Sequence, residues 1–431
     1  MILHGILGAL AVVSCLSTLW QWLAARRFPL HRRSSRLHSA PAVTILKPLK
    51  GADEFIESCL RSWLAQDYTG EVQVLFGVAS ADDPACAVVK KLLAKFPQRD
   101  AQLVVCPERV GANAKVSKLA QLEPLVKHEI IIVSDADVRV PPDLLVNLVT
   151  TFNDEGRAGG VPLPQGRGTK GEGEALLRQS VTVLPHQEPP PHPALSPGGR
   201  AGGVSPGERR VGLGFCFYRF ANPATSGMQW EAIAVNADFW SQVLQGASFR
   251  KLDFALGAVM ATRRQPLAEI GGFRALVDCL ADDYQLGNRI AQRDHRIEIC
   301  PVVVDCWSPP LDWRDVWRHQ LRWARTIRVC QPLPYFFSIV SNATLWPLLW
   351  ALTGLPMALI CAVAFLLIRL VAADDLQRRL MPSHKRLSNF WLVPVKDLLQ
   401  AALWLGAFFG RHIEWRGERY RLRRDGTLAR E

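Results

Sequence analysis

Asp135 and Asp137 stand one residue apart at the end of the run Ile130–Ile131–Ile132–Val133–Ser134, and this pairing is the strongest chemical signal in the chain. The β-branched run reads as a buried strand. Side chains alternate along an extended chain, so the spacing aims both carboxylates the same way just past the strand end. Open α/β sheets bind their ligands at that edge. Two carboxylates there suit a hard divalent cation, which in turn suits a diphosphate; the competing reading is a plain turn whose Asp caps a helix. Asp83, in Ser80–Ala81–Asp82–Asp83–Pro84, is either a strand-end carboxylate that accepts from a base or ribose, or a helix cap. Lys115 follows Gly111–Ala112–Asn113–Ala114. It is placed to neutralise a phosphate, with Gly111 allowing a tight turn beneath it, or it is a solvated surface lysine. Asp282 and Asp283 open a helix, where they are either first-turn acids or a pair in which one carboxyl raises the pKa of the other.

These side chains need elements to hold them. β-branched and apolar runs predict strands over 42–46, 72–78, 102–106, 129–134, 211–218 and 297–304, and helical periodicity fills the intervals at about 55–65, 86–96, 116–122, 229–245, 281–292 and 313–328. Strands alternating with helices predict a parallel, doubly wound sheet. Gly257 marks a place where backbone comes close to a ligand. Residues 156–210 are rich in Pro, Gly, Arg and Ser, and Gly156–Arg157–Ala158–Gly159–Gly160–Val161 recurs as Gly199–Arg200–Ala201–Gly202–Gly203–Val204. Such a segment cannot bury a core and is expected to be a disordered insertion.

The bulk composition narrows the setting. Hydrophobic residues make up 49% of the 431 and mean hydropathy is +0.07, a mixture expected of a soluble domain joined to membrane segments. The formal net charge of +12 gathers beside apolar runs, at 26–36 and 411–430, which favours anionic lipid headgroups over nucleic acid, for which no motif appears. The ten cysteines show neither a CxxC pair nor zinc spacing and read as reduced thiols. The apolar run 2–25 is followed at once by Arg26, Arg27, Arg32, Arg33 and Arg36. Positive charge after the apolar core argues for an uncleaved anchor with the rest of the chain in the cytoplasm. Residues 335–373 read as two short spans or hairpin helices broken near Gly354–Leu355–Pro356. The apolar stretch 390–409 contains Lys396 and Asp397, which argues against a simple lipid-facing span.

Several motifs fall in one order: Asp82–Asp83–Pro84–Ala85 followed by Lys90–Lys91–Leu92–Leu93, then Val110–Gly111–Ala112–Asn113–Ala114–Lys115–Val116–Ser117–Lys118–Leu119, then Ser134–Asp135–Ala136–Asp137, then Asp282–Asp283–Tyr284. His319–Gln320–Leu321–Arg322–Trp323 closes the set. Together they resemble the membrane-bound glycosyltransferases of family 21, the ceramide glucosyltransferase type, over about 43–334. Within that family the chain looks most like the hopanoid-biosynthesis branch that adds N-acetylglucosamine to bacteriohopanetetrol.

The resemblance implies an α/β, GT-A-like (Rossmann-like) nucleotide-sugar domain over 40–334, interrupted at about 156–210. An N-terminal transmembrane anchor (1–26), membrane-associated or interfacial helices (335–410) and a basic cytoplasmic tail (411–431) complete the chain, on the cytoplasmic face of a bacterial inner membrane. By the same resemblance Asp83 belongs to the nucleotide pocket and Lys115 to the diphosphate. Asp135 is the key metal-site aspartate, Asp137 completes a DxD that some relatives lack, and Mg²⁺ or Mn²⁺ is the expected cofactor. Asp283 is the catalytic base. Arg322 clamps the diphosphate, and Trp323 walls the acceptor site or stacks a ring. His319 stands where Gln or Arg is usual, and either donates to the leaving phosphate or packs. The expected partners are a UDP-sugar and a membrane lipid alcohol, with inversion at the anomeric carbon. The alternatives are a ceramide glucosyltransferase, a processive polysaccharide synthase, and a catalytically silent membrane scaffold.

Overall fold

The computed structural model describes residues 2–34, 40–152, 210–381, 391–410, 412–415, 418–423 and 425–430. The insertion expected at about 156–210 therefore lies outside the described residues, apart from Arg210. The centre of the fold is an eight-stranded sheet of β1 (Val43–Pro48), β2 (Val72–Val78), β3 (Asp100–Val105), β4 (Ile130–Ser134), β5 (Val138–Arg139), β6 (Val211–Phe220), β7 (Val259–Arg263) and β8 (Arg296–Cys306), in the order β3-β2-β1-β4-β7-β6-β8-β5. β1 and β4 are buried at every residue, Thr44, Lys47 and Ser134 included, while β3 at the edge is only partly covered. Helices Ile56–Leu64 and Ala85–Lys95 pack Leu60, Trp63, Val89 and Leu92 on one face. Helices Ala114–Leu122 and Asp282–Gln292 pack Val116, Leu119, Leu286 and Ile290 on the other.

The sheet is mixed rather than wholly parallel. β3, β2, β1 and β4 are parallel neighbours, but β7 runs antiparallel to both β4 and β6, and β5 antiparallel to β8. An apolar run states that a strand is buried; it carries no direction, and the expectation of a parallel sheet rested on alternation alone.

Two helices, Ile2–Arg27 and Pro356–Leu380, are long and apolar enough to cross a membrane by length and composition. They lie side by side and run the same way. At one end His4 and Gly8 meet Trp350 and Thr353, just before Pro356; at the other Arg26 pairs with Asp375 at 2.7 Å. The stretch read as two short spans or hairpin helices contains two short helices, Pro332–Phe337 and Leu345–Ala351, and then a 25-residue helix. Gly354 (φ +76°) makes the break, and Pro356 begins a helix, the position proline tolerates best. Lys396 and Asp397, in helix Leu392–Gly406, are both buried. With Arg369 and Asp238 they form a charge-balanced quartet: Arg369 pairs with Asp238 at 2.8 Å and with Asp397 at 2.9 Å, and Lys396 pairs with Asp397 at 2.6 Å and with Asp238.

The residues read as a basic tail contain a three-stranded antiparallel sheet, His412–Trp415, Glu418–Leu422 and Leu428–Arg430. Ile413, Tyr420, Leu422 and Leu428 share a small core with Leu280. Arginine count hid the alternation: Tyr420 and Leu422 face in, while Arg419 and Arg421 face out.

Candidate active site

At Ser134 the chain leaves β4 and turns at once, with Val138 N donating to Asp135 O at 3.4 Å. Asp135 and Asp137 thus lie in the turn into β5, and strand alternation does not set their directions. The turn is held from beneath. Lys47 donates to Ser134 Oγ at 3.1 Å and to the Asp135 carbonyl; Trp63 Nε1 donates to Val138 O at 3.1 Å; Cys59 Sγ and Trp307 N donate to Asp137 O at 3.4 and 3.0 Å. Lys47 is fully buried, with its ammonium 4.9 Å from the centre of the Trp63 ring. Burial draws its pKa down to about 8, against the pull of Cys59, Asp135 and Asp137.

Lys115 sits across from this turn because Asn113 starts its helix. The Asn113 side chain accepts from Lys115 N and Val116 N at 3.0 and 3.2 Å, and donates to Cys279 O at 2.8 Å. Gly111 lies against Val277: a Cβ built there would fall 2.6 Å from that side chain, so a larger residue would displace the loop. The Lys115 ammonium, only 7% exposed, bridges Asp135 Oδ1 at 2.8 Å and Asp282 Oδ2 at 3.0 Å. Burial alone would favour the neutral amine, but the Asp135 and Asp282 carboxylates outweigh it and hold the pKa above the usual lysine value.

Beside this bridge is Asp283. Burial and then the neighbouring Asp282 charge raise its pKa to about 6, while Lys115 and a bond from Tyr284 N, at 2.8 Å to Oδ1, pull the other way. Gly257 backs onto the carboxylate, and a Cβ built there would lie 3.0 Å from Asp283 Oδ2. The close approach expected at Gly257 is therefore to a side chain of the site. Gly287, on the same helix as Asp283, lets that helix touch the backbone of Phe254 and Ala255.

The other expected residues make their described contacts elsewhere. Asp83 Oδ1 accepts from Gly51 N and Ala85 N, both at 2.9 Å, joining the loop after β1 to a helix start. His319 Nδ1 meets Glu231 Oε1 at 2.6 Å, and Gln320 Nε2 donates to the same oxygen at 2.8 Å. Trp323 packs 4.5 Å from the His319 ring, with Phe220 and Phe239 beyond. Arg322 borders a cleft of about 250 Å³ between its helix and the C-terminal sheet, together with Arg318, Arg325 and Arg419. Sequence reasoning gave no role to Lys47, Asn113 or Glu231. Asn113, a cap residue just before an apolar helix, had a readable signal. A buried Lys near a strand end and a buried Glu in a helix had none.

No group of three His, Cys, Asp or Glu side chains forms a metal cage among the described residues. Asp135 and Asp137 offer two hard oxygen ligands at one turn, half-buried and exposed respectively. That set fits an ion of the Mg²⁺ type, which takes one or two carboxylates and completes its shell with phosphate oxygens and water.

Comparison with known proteins adds the following. The model of glycosyl transferase family 21 matches residues 6–176 and 205–428. A ceramide glucosyltransferase of Candida albicans is 34% identical over 122 residues, 26% of this chain and 22% of that protein. Ceramide glucosyltransferase 3 of Caenorhabditis elegans is 31% identical over 130 residues, 30% of this chain and 28% of that protein. These matches thus span about a quarter of the relatives' length. A solved mannosyltransferase from Pyrobaculum calidifontis, in complex with GDP-Man and Mn²⁺, is 18% identical with a TM-score of 0.49, covering 94% of this chain and 99% of that one.

Proposed function

The chain belongs to glycosyl transferase family 21, and we propose that it moves a hexose from a nucleotide sugar to the hydroxyl of a membrane lipid. The observation that carries this reading is the buried Lys115 bridge between Asp135 and Asp282, with the raised carboxyl of Asp283 beside it. Lys115 supplies a fixed positive charge where a diphosphate would gather negative charge as it leaves. Its ion pair with Asp135 keeps it aimed before substrate arrives. A divalent cation held by Asp135 and Asp137 would add further charge stabilisation to the leaving diphosphate. Asp283, deprotonated at neutral pH but more basic than an ordinary aspartate, takes the proton of the acceptor hydroxyl as its oxygen attacks the anomeric carbon. A single displacement of this kind inverts that centre. Asp83 is assigned to the nucleoside, Arg322 with His319 to the diphosphate, and Trp323 to the acceptor side, with Glu231 fixing the orientation of His319.

The two long apolar helices and the lipid-acting names of the relatives support a membrane setting; the basic residues that follow Ile2–Arg27 favour a catalytic domain on the cytoplasmic side. UDP-N-acetylglucosamine and a bacteriohopanetetrol-type acceptor follow from the motif resemblance. Glucose and ceramide are the second reading, favoured by the names of the sequence relatives. Incubating membranes that contain the protein with UDP-glucose or UDP-N-acetylglucosamine, and weighing the lipid product, separates the two. Asp283→Asn is expected to lower transfer by about 10²–10⁴-fold with nucleotide binding preserved. Transfer at the wild-type rate by that variant would remove Asp283 as the base, and a chain of linked sugars as product would turn the reading to a polysaccharide synthase.

A further inference from the structure

A cavity of about 520 Å³, whose lining includes none of Lys115, Asp135, Asp282 and Asp283, lies where the two long helices end against the sheet. Its size falls within the roughly 300–1,000 Å³ of small-molecule sites. Its wall carries His31 and five arginines, Arg33, Arg139, Arg219, Arg378 and Arg379, against one carboxylate, Asp305. Asp305 is shared by Arg219 at 2.7 Å and Arg139 at 3.3 Å, so it neutralises one of them at most. Arg33 and Arg378 have partners outside the wall, Asp143 and Asp374. Arg379 points NH2 at the carbonyls of Ala25, Arg26 and Phe28, and its Nε is buried without a hydrogen-bond partner among the described residues. The wall is therefore built with excess positive charge that the described chain does not balance.

Position gives that charge a meaning. Ile2–Arg27 and Pro356–Leu380 run the same way, and their basic ends, Arg26–Arg27 and Arg378–Arg379, meet at one level. On the membrane reading this level is the plane of the lipid headgroups on the side of the catalytic domain. A basic pocket between helix ends at that plane matches the chemistry of a phosphate ester. We propose that the cavity binds a phosphate monoester or diester as a site separate from sugar transfer, the source being the headgroup of an anionic phospholipid.

The test uses the full-length purified protein, and no step of it depends on sugar transfer, so it stands or falls apart from the proposed activity. Native mass spectrometry after exposure to equal amounts of phosphatidylglycerol and phosphatidylcholine reads lipid retention, and a thermal-shift series with inorganic phosphate reads the soluble source. The double variant Arg33→Gln, Arg378→Gln removes two wall charges whose own partners are on the surface. Wild type is expected to retain phosphatidylglycerol over phosphatidylcholine, with retention falling in high salt, and the double variant to lose about fivefold per arginine removed. Arg33→Lys, Arg378→Lys should recover most of the retention, which separates lost charge from misfolding. Stabilisation of wild type by inorganic phosphate, absent in the Gln variant and without lipid preference, would keep the site and replace its source. Equal retention of both lipids together with no phosphate effect in wild type, or no difference between wild type and the Gln variant, would overturn it.

Discussion

Asp282 does two jobs at the level of single residues: it neutralises Lys115 and, one position along, makes Asp283 harder to ionise. The carboxyl of Asp283 is raised to about 6, so its base form is lost as pH falls through that value. The rate of transfer at low substrate is accordingly expected to drop on the acid side with a midpoint near 6. Asp282→Asn removes the like charge and should move that midpoint to lower pH; an unmoved midpoint would mean that another group titrates. Gly257 offers a quieter probe. Its Ala variant places a methyl 3.0 Å from Asp283 Oδ2. The carboxylate must shift by a few tenths of an ångström, and the expected loss of kcat is on the order of tenfold, with the melting temperature nearly unchanged.

Among the elements, the C-terminal sheet matters most for the site. Leu428 N donates to Asp278 O at 2.7 Å, and Asp278 Oδ1 accepts from Ala112 N at 2.8 Å, so the sheet reaches the loop before Lys115 through one residue. Arg109 adds a second tie, to Tyr420 Oη at 2.7 Å and to the Ala112 carbonyl at 2.7 Å. Tyr420→Ala empties the centre of this small core and is expected to speed hydrogen exchange at the amides of Gly111, Ala112 and Asn113, while those of β1 and β2 keep their protection. The same sheet marks the limit of what could be read in the sequence. Runs such as Ile130–Val133 and Val72–Val78 announced buried strands because nothing else needs so many β-branched residues together. Strand direction in β7 and β6 left no mark in composition. A sheet whose outward face is arginine looked like a solvated tail. Of the site, the carboxylates and Lys115 stood out by type and spacing, whereas Lys47 and Glu231 act from within the protein, where a charged residue is recognisable only by its partners.

At the scale of the whole molecule, the quartet of Asp238, Arg369, Lys396 and Asp397 joins the catalytic domain to the apolar helices. Arg369→Met leaves two buried carboxylates facing one ammonium and is expected to cost about 3–5 kcal/mol, read as an early unfolding transition in detergent; adding Asp397→Leu should restore part of it. The common direction of the two long helices has a consequence of its own, one of parity. On the membrane reading, both bring the chain to the side of the catalytic domain, and the C-terminal sheet is on that side too, since it is bonded to Asp278. A segment that enters from the same face twice must have left it in between, so residues 331–355 have to make an outward passage. They do so as a broken path through Asn342, whose Oδ1 accepts from Thr344 N and Leu345 N and whose Nδ2 donates to the Asp397 carbonyl. Backbone of that kind survives at membrane depth only when protein surrounds it. A cysteine placed at Gly354 should then react with an impermeant thiol reagent from the face opposite the catalytic domain, although a hydropathy count of two crossings would put that residue elsewhere.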